Sequence, residues 1–324
     1  MKFYIAGARG SIPSPSGVLP SGERFRTDRY GANTTSIYLE SDRGQKIILD
    51  AGTGIVPLGR YLVSQRSELE ESLSLDLFFT HTHWDHIQGF PFFVPAYIKG
   101  NKIDIYGEAK ITGDLVNAVN GADGKQILRA VHVNGVGVKD VLADQQKERN
   151  FPVPLNALKG LGTFYDFIPG GILKEDDFMR IETKHVNHPG GCVSYKIIEK
   201  NSKGKDKVTV ICTDFEPDHG KTDAELIKWW EGADLVYADA QYETGSERNN
   251  FMKGWGHSDP LIDLEFARKA GVKRLLLGHH DPKSDDQYLQ DLEYRIKVDS
   301  IGYSRRGGKR IKLNFAREGS WYNI

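Results

Sequence analysis

Apolar residues in the first third of the chain fall in short runs rather than at helical intervals. Residues 2–8, 35–41, 46–50 and 75–80 are rich in Ile, Leu, Phe or Tyr and bounded by Gly, Pro, Asn or Asp, the pattern of strands separated by turns. A helix is predicted from Pro57 to Gln65 and another after Asp85, before a strand-like run at 102–107. From 108 to 150 the pattern weakens into Gly, Asn and charge, with one β-like piece at 129–138, and reads as an insertion lying over the core. Strand-like alternation returns at 178–183, 192–199 and 207–212. The remainder alternates helix and strand. Thr222-Asp223-Ala224-Glu225 has capping-box spacing, with Leu226, Trp230 and Ala233 at helical intervals before a strand at 235–240. Asp259 and Pro260 suit the cap and first position of a helix ending at Gly271, ahead of a strand at 274–277. Strands in both halves with helices between them predict an α/β protein in which two sheets pack face to face under outer helices.

At 324 residues the chain holds two ordinary domains or one large one, and it is read as a single domain, 1–324, carrying the 108–150 insertion. The 39% hydrophobic and 27% charged residues exclude a disordered chain, a collagen-like chain or a bundle of membrane spans. With 43 basic against 44 acidic residues there is no global attraction for nucleic acid, although a local patch stays open. Cys192 and Cys212 are too few for a disulfide framework and read as small buried hydrophobes in a reducing compartment. Gly7, Arg9 and Pro13 interrupt the opening apolar stretch, and no later run approaches the roughly 18 residues of a membrane span. A cytoplasmic protein with no membrane partner is expected.

The sharpest chemistry lies in Thr80-His81-Thr82-His83-Trp84-Asp85-His86, directly after an apolar strand. Three imidazoles and a carboxylate packed so closely point to a metal, and the donor types suit zinc, manganese or iron. The run matches the H-x-H-x-D-H signature of the metallo-β-lactamase fold. Further matches follow in order: His188-Pro189-Gly190-Gly191, Asp214 after the strand at 208–213, and His279 after the strand at 274–277. The resemblance implies an αββα sandwich of two mixed sheets with helices outside. It also implies two divalent metal ions, zinc foremost and manganese next. His81, His83 and His188 would hold one, Asp85, His86 and His279 the other, with Asp214 bridging them.

Other residues narrow the reaction. Ala233-Asp234-Leu235-Val236-Tyr237-Ala238-Asp239-Ala240, followed by Gly256-His257-Ser258, resembles paired motifs of the ribonuclease Z branch. There an acidic residue orients a histidine facing the scissile phosphate, roles that fall to Asp239 and His257, with Asp85 joining the catalytic set through the metal. Gly7-Ala8-Arg9-Gly10-Ser11, Gly31-Ala32-Asn33-Thr34-Thr35-Ser36 and Leu49-Asp50-Ala51-Gly52-Thr53-Gly54 are similar to the same branch. The Gly- and Pro-rich arm that grips transfer RNA in that branch is missing between Gly191 and Asp214. The resemblance is therefore to its smaller-substrate relatives, including cyclic-nucleotide phosphodiesterases of bacteria and phages. It implies hydrolysis of a 3′,5′-cyclic nucleotide to the 5′-monophosphate by water activated between the two metals. A ribonuclease Z-like RNA endonuclease is the alternative, and a non-catalytic metal sensor is the alternative of another class. A homodimer completing the pocket stays open, and no organic cofactor is called for.

The remaining candidates have plainer readings. His280 either lines the pocket or holds the turn before Asp281-Pro282, whereas His132, His185 and His219 read as solvated or satisfied. Trp84 reads as a packing residue beside the metals rather than a stacking platform. Phe90-Pro91-Phe92-Phe93 reads first as core at a bend and second as the apolar slot for a nucleobase, as does Phe151-Pro152-Val153-Pro154. The basic stretches at 200–207 and 305–310 read as solvated turns.

Overall fold

Alternation along each strand sorts side chains to two faces, and the observed packing uses both. The computed structural model describes residues 1–65, 72–111, 135–200, 204, 206–243, 252–305 and 308–324. In chain order the strands are β1 (Lys2–Gly7), β2 (Gly17–Val18), β3 (Arg24–Phe25), β4 (Ser36–Glu40), β5 (Lys46–Leu49), β6 (Ser74–Phe78), β7 (Lys102–Glu108), β8 (Lys110–Ile111) and β9 (Gly135–Val136). They continue with β10 (Leu161–Phe167), β11 (Ile172–Glu175), β12 (Met179–Val186), β13 (Cys192–Lys200), β14 (Asp206–Cys212), β15 (Leu235–Asp239), β16 (Arg274–Gly278), β17 (Lys312–Phe315) and β18 (Trp321–Asn323). The α-helices are α1 (Ile55–Ser64), α2 (Trp84–Ile87), α3 (Val138–Gln145), α4 (Lys221–Trp230), α5 (Pro260–Ala270) and α6 (Asp286–Arg305).

Two seven-stranded mixed sheets result, ordered β10-β7-β6-β5-β4-β1-β18 and β11-β12-β13-β14-β15-β16-β17. Ile211, Tyr237 and Leu276 point from the second sheet toward Phe3, Ile37, Leu49 and Phe78 of the first, making the inter-sheet core. The residues between them, Val210, Val236, Ala238, Leu275 and Leu277, turn to the opposite face and pack under α4, α5 and α6. Outside the first sheet, Leu58 and Leu62 of α1 and Leu142 of α3 cover Ile48, Leu77 and Ile105. This is the expected αββα sandwich.

Strand direction decides where the chemistry goes. β14, β15 and β16 are mutually parallel, and β12 joins them in direction because two antiparallel steps separate it from β14. In the first sheet β5 and β6 are parallel, and β1 shares their direction by the same count of two antiparallel pairings. Within each sheet the carboxyl ends of these strands therefore share one edge, and the residues that follow β6, β14 and β16 meet there across the two sheets, the edge where α/β sheets present their ligand-binding loops.

Some local expectations fail for physical reasons. The spacing at Thr222–Glu225 does not cap α4: the helix starts after Gly220 without a side-chain cap, and the Asp223 carboxylate accepts the N–H groups of Asp218 and His219 at 3.0 and 2.9 Å. α5 behaves as read, with Asp259 accepting the Leu261 N–H at 2.7 Å and Gly271 closing the helix at φ 68°. The sequence pattern does not mark the 20-residue helix α6, the helix α3 inside the 108–150 segment, the edge strands β10, β11, β17 and β18, or the short strands β2, β3 and β8. Of the β-like piece at 129–138, the part up to 134, including His132, lies outside the described residues. Cys192 and Cys212 are buried free thiols, and no helix among the described residues is long and apolar enough to cross a membrane.

Candidate metal centre

Each candidate side chain sits just past a strand end on the shared edge. His81 and His83 occupy the loop between β6 and α2, while Asp85 and His86 lie within α2. His188 follows β12, Asp214 follows β14, Asp239 ends β15 and His279 follows β16. Asp50, Asp214 and His279 all take left-handed backbone conformations, at φ 63°, 52° and 54°. Non-glycine residues adopt these at a cost on the order of 1–3 kcal/mol each, and they concentrate at functional sites.

The structure brings together all seven candidate ligands. One group is His81, His83 and His188; the other is Asp85, His86, Asp214 and His279; within each, ligand atoms lie within 4.8 Å of one another. His188 Nε2 stands 3.0 Å from His83 Nδ1. In the second group His279 Nε2 is 3.1 Å from Asp85 Oδ2 and 3.3 Å from His86 Nε2. Asp214 lies between the groups, with Oδ1 3.3 Å from His86 Nε2 and Oδ2 3.2 Å from His279 Nε2 and 3.7 Å from His81 Nε2.

The outer partners of these rings fix which nitrogens face inward. His188 Nδ1 donates to the Gly256 carbonyl at 2.8 Å, and His86 Nδ1 lies 2.9 Å from Asp50 Oδ2. Thr80 donates its N–H and its hydroxyl to the two Asp50 oxygens at 2.8 Å each, so its oxygen is free to accept from His81 Nδ1 at 3.1 Å. All three rings thereby turn Nε2 toward the centre, the arrangement that outer partners impose on metal-binding histidines. His81 Nε2 is buried and has no hydrogen-bond partner. A donor set of converging imidazole nitrogens and carboxylates fits divalent cations, and these seven residues could hold two.

The two groups differ electrostatically. Burial lowers the pKa of His81, His83 and His188 below the ordinary imidazole value, with neighbouring histidines adding to the effect. In the second group burial opposes charge, but the facing histidines outweigh it and hold Asp85 and Asp214 below the usual carboxylate range. Burial also opposes the imidazolium forms there, yet Asp214 and Asp85 lift His86 well above its ordinary value and His279 up to about 9.

His257 and Asp239 meet as the sequence suggested. His257 Nδ1 is 2.7 Å from Asp239 Oδ2, and the His257 ring stacks on His279 with centroids 4.9 Å apart. The loop before it is pinned: Glu216 accepts the N–H groups of Gly254 and Gly256 at 2.8–2.9 Å. Gly256 has φ 88°, and a Cβ there would stand 2.1 Å from His188 Nδ1, so only glycine fits.

Other expectations divide. His280 takes the structural option, buried with Nε2 2.9 Å from the Ala316 carbonyl. His219 is exposed, and His185 pairs at the surface with Glu108. Phe90 and Phe93 are core, leaving only Phe92 facing outward against Phe151, so the four-residue apolar slot does not form. Trp84 is not a packing residue, since 59% of it is exposed. Asp50, Thr80, Glu216 and Trp255 were not singled out. Asp50 lies within the Leu49-Asp50-Ala51-Gly52-Thr53-Gly54 match, which by itself assigns it no role.

These two adjoining groups, on the edge of an αββα sandwich, define a metallohydrolase of the metallo-β-lactamase fold. Within that class the chain is ribonuclease Z-like. Ribonuclease Z of Streptococcus mutans serotype c (strain ATCC 700610 / UA159) is 25% identical over 67% of this chain and 75% of that protein. The crystal structure of human tRNase Z, short form, matches with a TM-score of 0.61 at 17% identity, covering 100% of this chain and 99% of that one. The metallo-β-lactamase fold protein YhfI from Bacillus subtilis matches with a TM-score of 0.59 at 16% identity, covering 99% of both. No family model matches the chain.

Proposed function

We propose that this chain is a dinuclear metal-dependent phosphodiester hydrolase and that it acts on RNA, a substrate class supported by its similarity to ribonuclease Z. The observation that carries the proposal is the position of Asp214, whose two oxygens face His86, His279 and His81 across both groups. A carboxylate so placed can serve two cations at once. His81, His83 and His188 would hold one, and Asp85, His86 and His279 the other, with zinc or manganese as the ion.

Two divalent cations bound there supply a water that ionises near neutral pH and positive charge against the phosphate oxygens. The chain does the rest. Ser11 N–H holds Asp85 Oδ2 at 2.7 Å, and Asp50 fixes the His86 ring. Asp239 occupies His257 Nδ1, leaving Nε2 as the nitrogen that meets the phosphate or its leaving oxygen. The stacked His279 ring limits how far His257 can tilt.

A small phosphodiester such as a 3′,5′-cyclic nucleotide is the second reading, and one observation favours it. Lys200 of β13 pairs with Asp206 of β14, so only residues 201–205 join these strands where the ribonuclease Z pattern carries its gripping arm. Hydrolysis assays on precursor transfer RNA, a linear oligoribonucleotide and cyclic mononucleotides, with zinc or manganese and after chelation, decide between them. The proposal expects RNA cleavage that chelation abolishes and that weakens as salt rises. Turnover of cyclic mononucleotides alone makes the second reading right. A protein with two ions bound that cleaves no phosphodiester overturns both.

A further inference from the structure

Two tryptophans stand open to solvent beside the candidate metal centre, Trp84 at 59% exposure and Trp255 at 57%. Isolated exposed apolar residues are ordinary on protein surfaces. These two are not isolated, because both are tied to one pair of imidazoles. Trp84 follows His83, whose Nδ1 is 3.0 Å from His188 Nε2. Trp255 precedes Gly256, whose carbonyl accepts from His188 Nδ1 at 2.8 Å. His83 is itself exposed, so the centre opens to solvent on this side.

Both indoles are displayed on fixed backbone. Trp255 sits between two glycines in left-handed conformations, Gly254 at φ 86° and Gly256 at φ 88°, whose N–H groups are both held by Glu216. Its own N–H donates to the Met252 carbonyl at 3.1 Å. Trp84 opens α2, and its carbonyl accepts from Gln88 N–H at 2.8 Å. The other tryptophans have packing work: Trp230 is fully buried, Trp229 donates to Ser194, and Trp321 lies 4.7 Å from the Tyr4 ring. Among the described residues, Trp84 and Trp255 have no such aromatic neighbour.

We infer that Trp84 and Trp255 form the base-binding wall of this centre, stacking on a nucleobase next to the scissile phosphate. The inference rests on the proposed phosphodiester hydrolysis and deepens it by assigning the place where a base of the substrate sits. Exposed ring faces beside a phosphate-binding centre offer a base a π-surface without reading its edge, so the wall tolerates any base. A diphosphate, a sugar phosphate or an alkyl phosphodiester has nothing to place there.

The test compares the p-nitrophenyl ester of thymidine 5′-phosphate with methyl p-nitrophenyl phosphate, which lacks a base. Trp84→Ala and Trp255→Ala are each expected to lower the ratio of kcat/KM values, thymidine ester over methyl ester, about tenfold or more, and Trp→Phe at either position to restore most of it. An unchanged ratio overturns the inference, as it leaves the indoles to another occupant such as a protein partner. Calorimetric binding of adenosine 5′-monophosphate and ribose 5-phosphate supplies a readout independent of turnover. Wild type is expected to prefer the nucleotide, and the double alanine variant to lose that preference about tenfold. Equal binding of the two ligands by wild type overturns the wall. Failure of wild type to cleave either ester or an oligoribonucleotide, with this preference intact, overturns the hydrolysis proposal instead.

Discussion

The His81–His83–His188 group and the Asp85–His86–Asp214–His279 group adjoin, yet they are built on opposite electrostatic plans. The first is three imidazoles whose pKa values are lowered, with His83 exposed. The second is fully buried and already balanced by charge, two ionised carboxylates against two imidazoles held up by them. A cation entering the first group meets neutral donors at an open mouth. A cation entering the second must displace protons that the carboxylates hold in place. Asp214 couples the two, which makes it the residue through which the contrast can be broken.

The largest effect is expected at that residue. Asp214→Ala leaves His86 and His279 without their main counter-charge, and metal content measured by elemental analysis should fall from two ions per chain to one or none. Activity should fall on the order of a thousandfold or more, because both ions' share of charge stabilisation is lost with it. Unchanged metal content in the variant would mean that the groups are not joined. His257→Ala is expected to lower kcat about a hundredfold or more with metal content intact, the scale for losing one hydrogen-bond donor to the transition state. Loss of an ion in that variant would instead place His257 among the ligands.

The smallest effect sharpens the contrast itself. His279, raised to about 9, is protonated at neutral pH in the metal-free protein, so a cation must displace that proton. Affinity of the second group should therefore fall as pH drops below about 9, by roughly tenfold per unit for each proton displaced. The first group, with lowered imidazoles, is neutral near pH 7 and should hold its affinity until the solution becomes distinctly acidic. Titration of metal into weakly buffered protein should show one equivalent releasing at least one proton more than the other. Equal release by both equivalents would erase the distinction.

The sequence made the centre legible because its ligands follow strands whose apolar runs are plain, and direction in the sheets carries them to one edge. The residues it did not mark act through adjacency alone. Asp50 serves His86 and Thr80 from a different strand, and Glu216 acts on backbone N–H groups about 40 residues downstream. The same logic governs the fold. Among the unanticipated strands, β10, β11, β17 and β18 are the edges of the two large sheets, where one side of the ladder is open and the apolar pattern thins. α6 carries Leu289, Leu292 and Ile296 at helical spacing, but it buries Glu293 among them, which breaks the apolar stripe. Trp84 departs from the packing role its neighbours suggest because its indole faces solvent, which no sequence pattern marks.

A third cluster, Asp239, His257 and His279, also brings its ligand atoms within 4.8 Å and competes with the assignment of the second group. Anomalous diffraction at the zinc edge from zinc-loaded crystals separates the two directly. Two peaks per chain are expected, one among His81, His83 and His188 and one among Asp85, His86 and His279, with Asp214 between them. A single peak, or a second peak seated on Asp239 and His257, would contradict it.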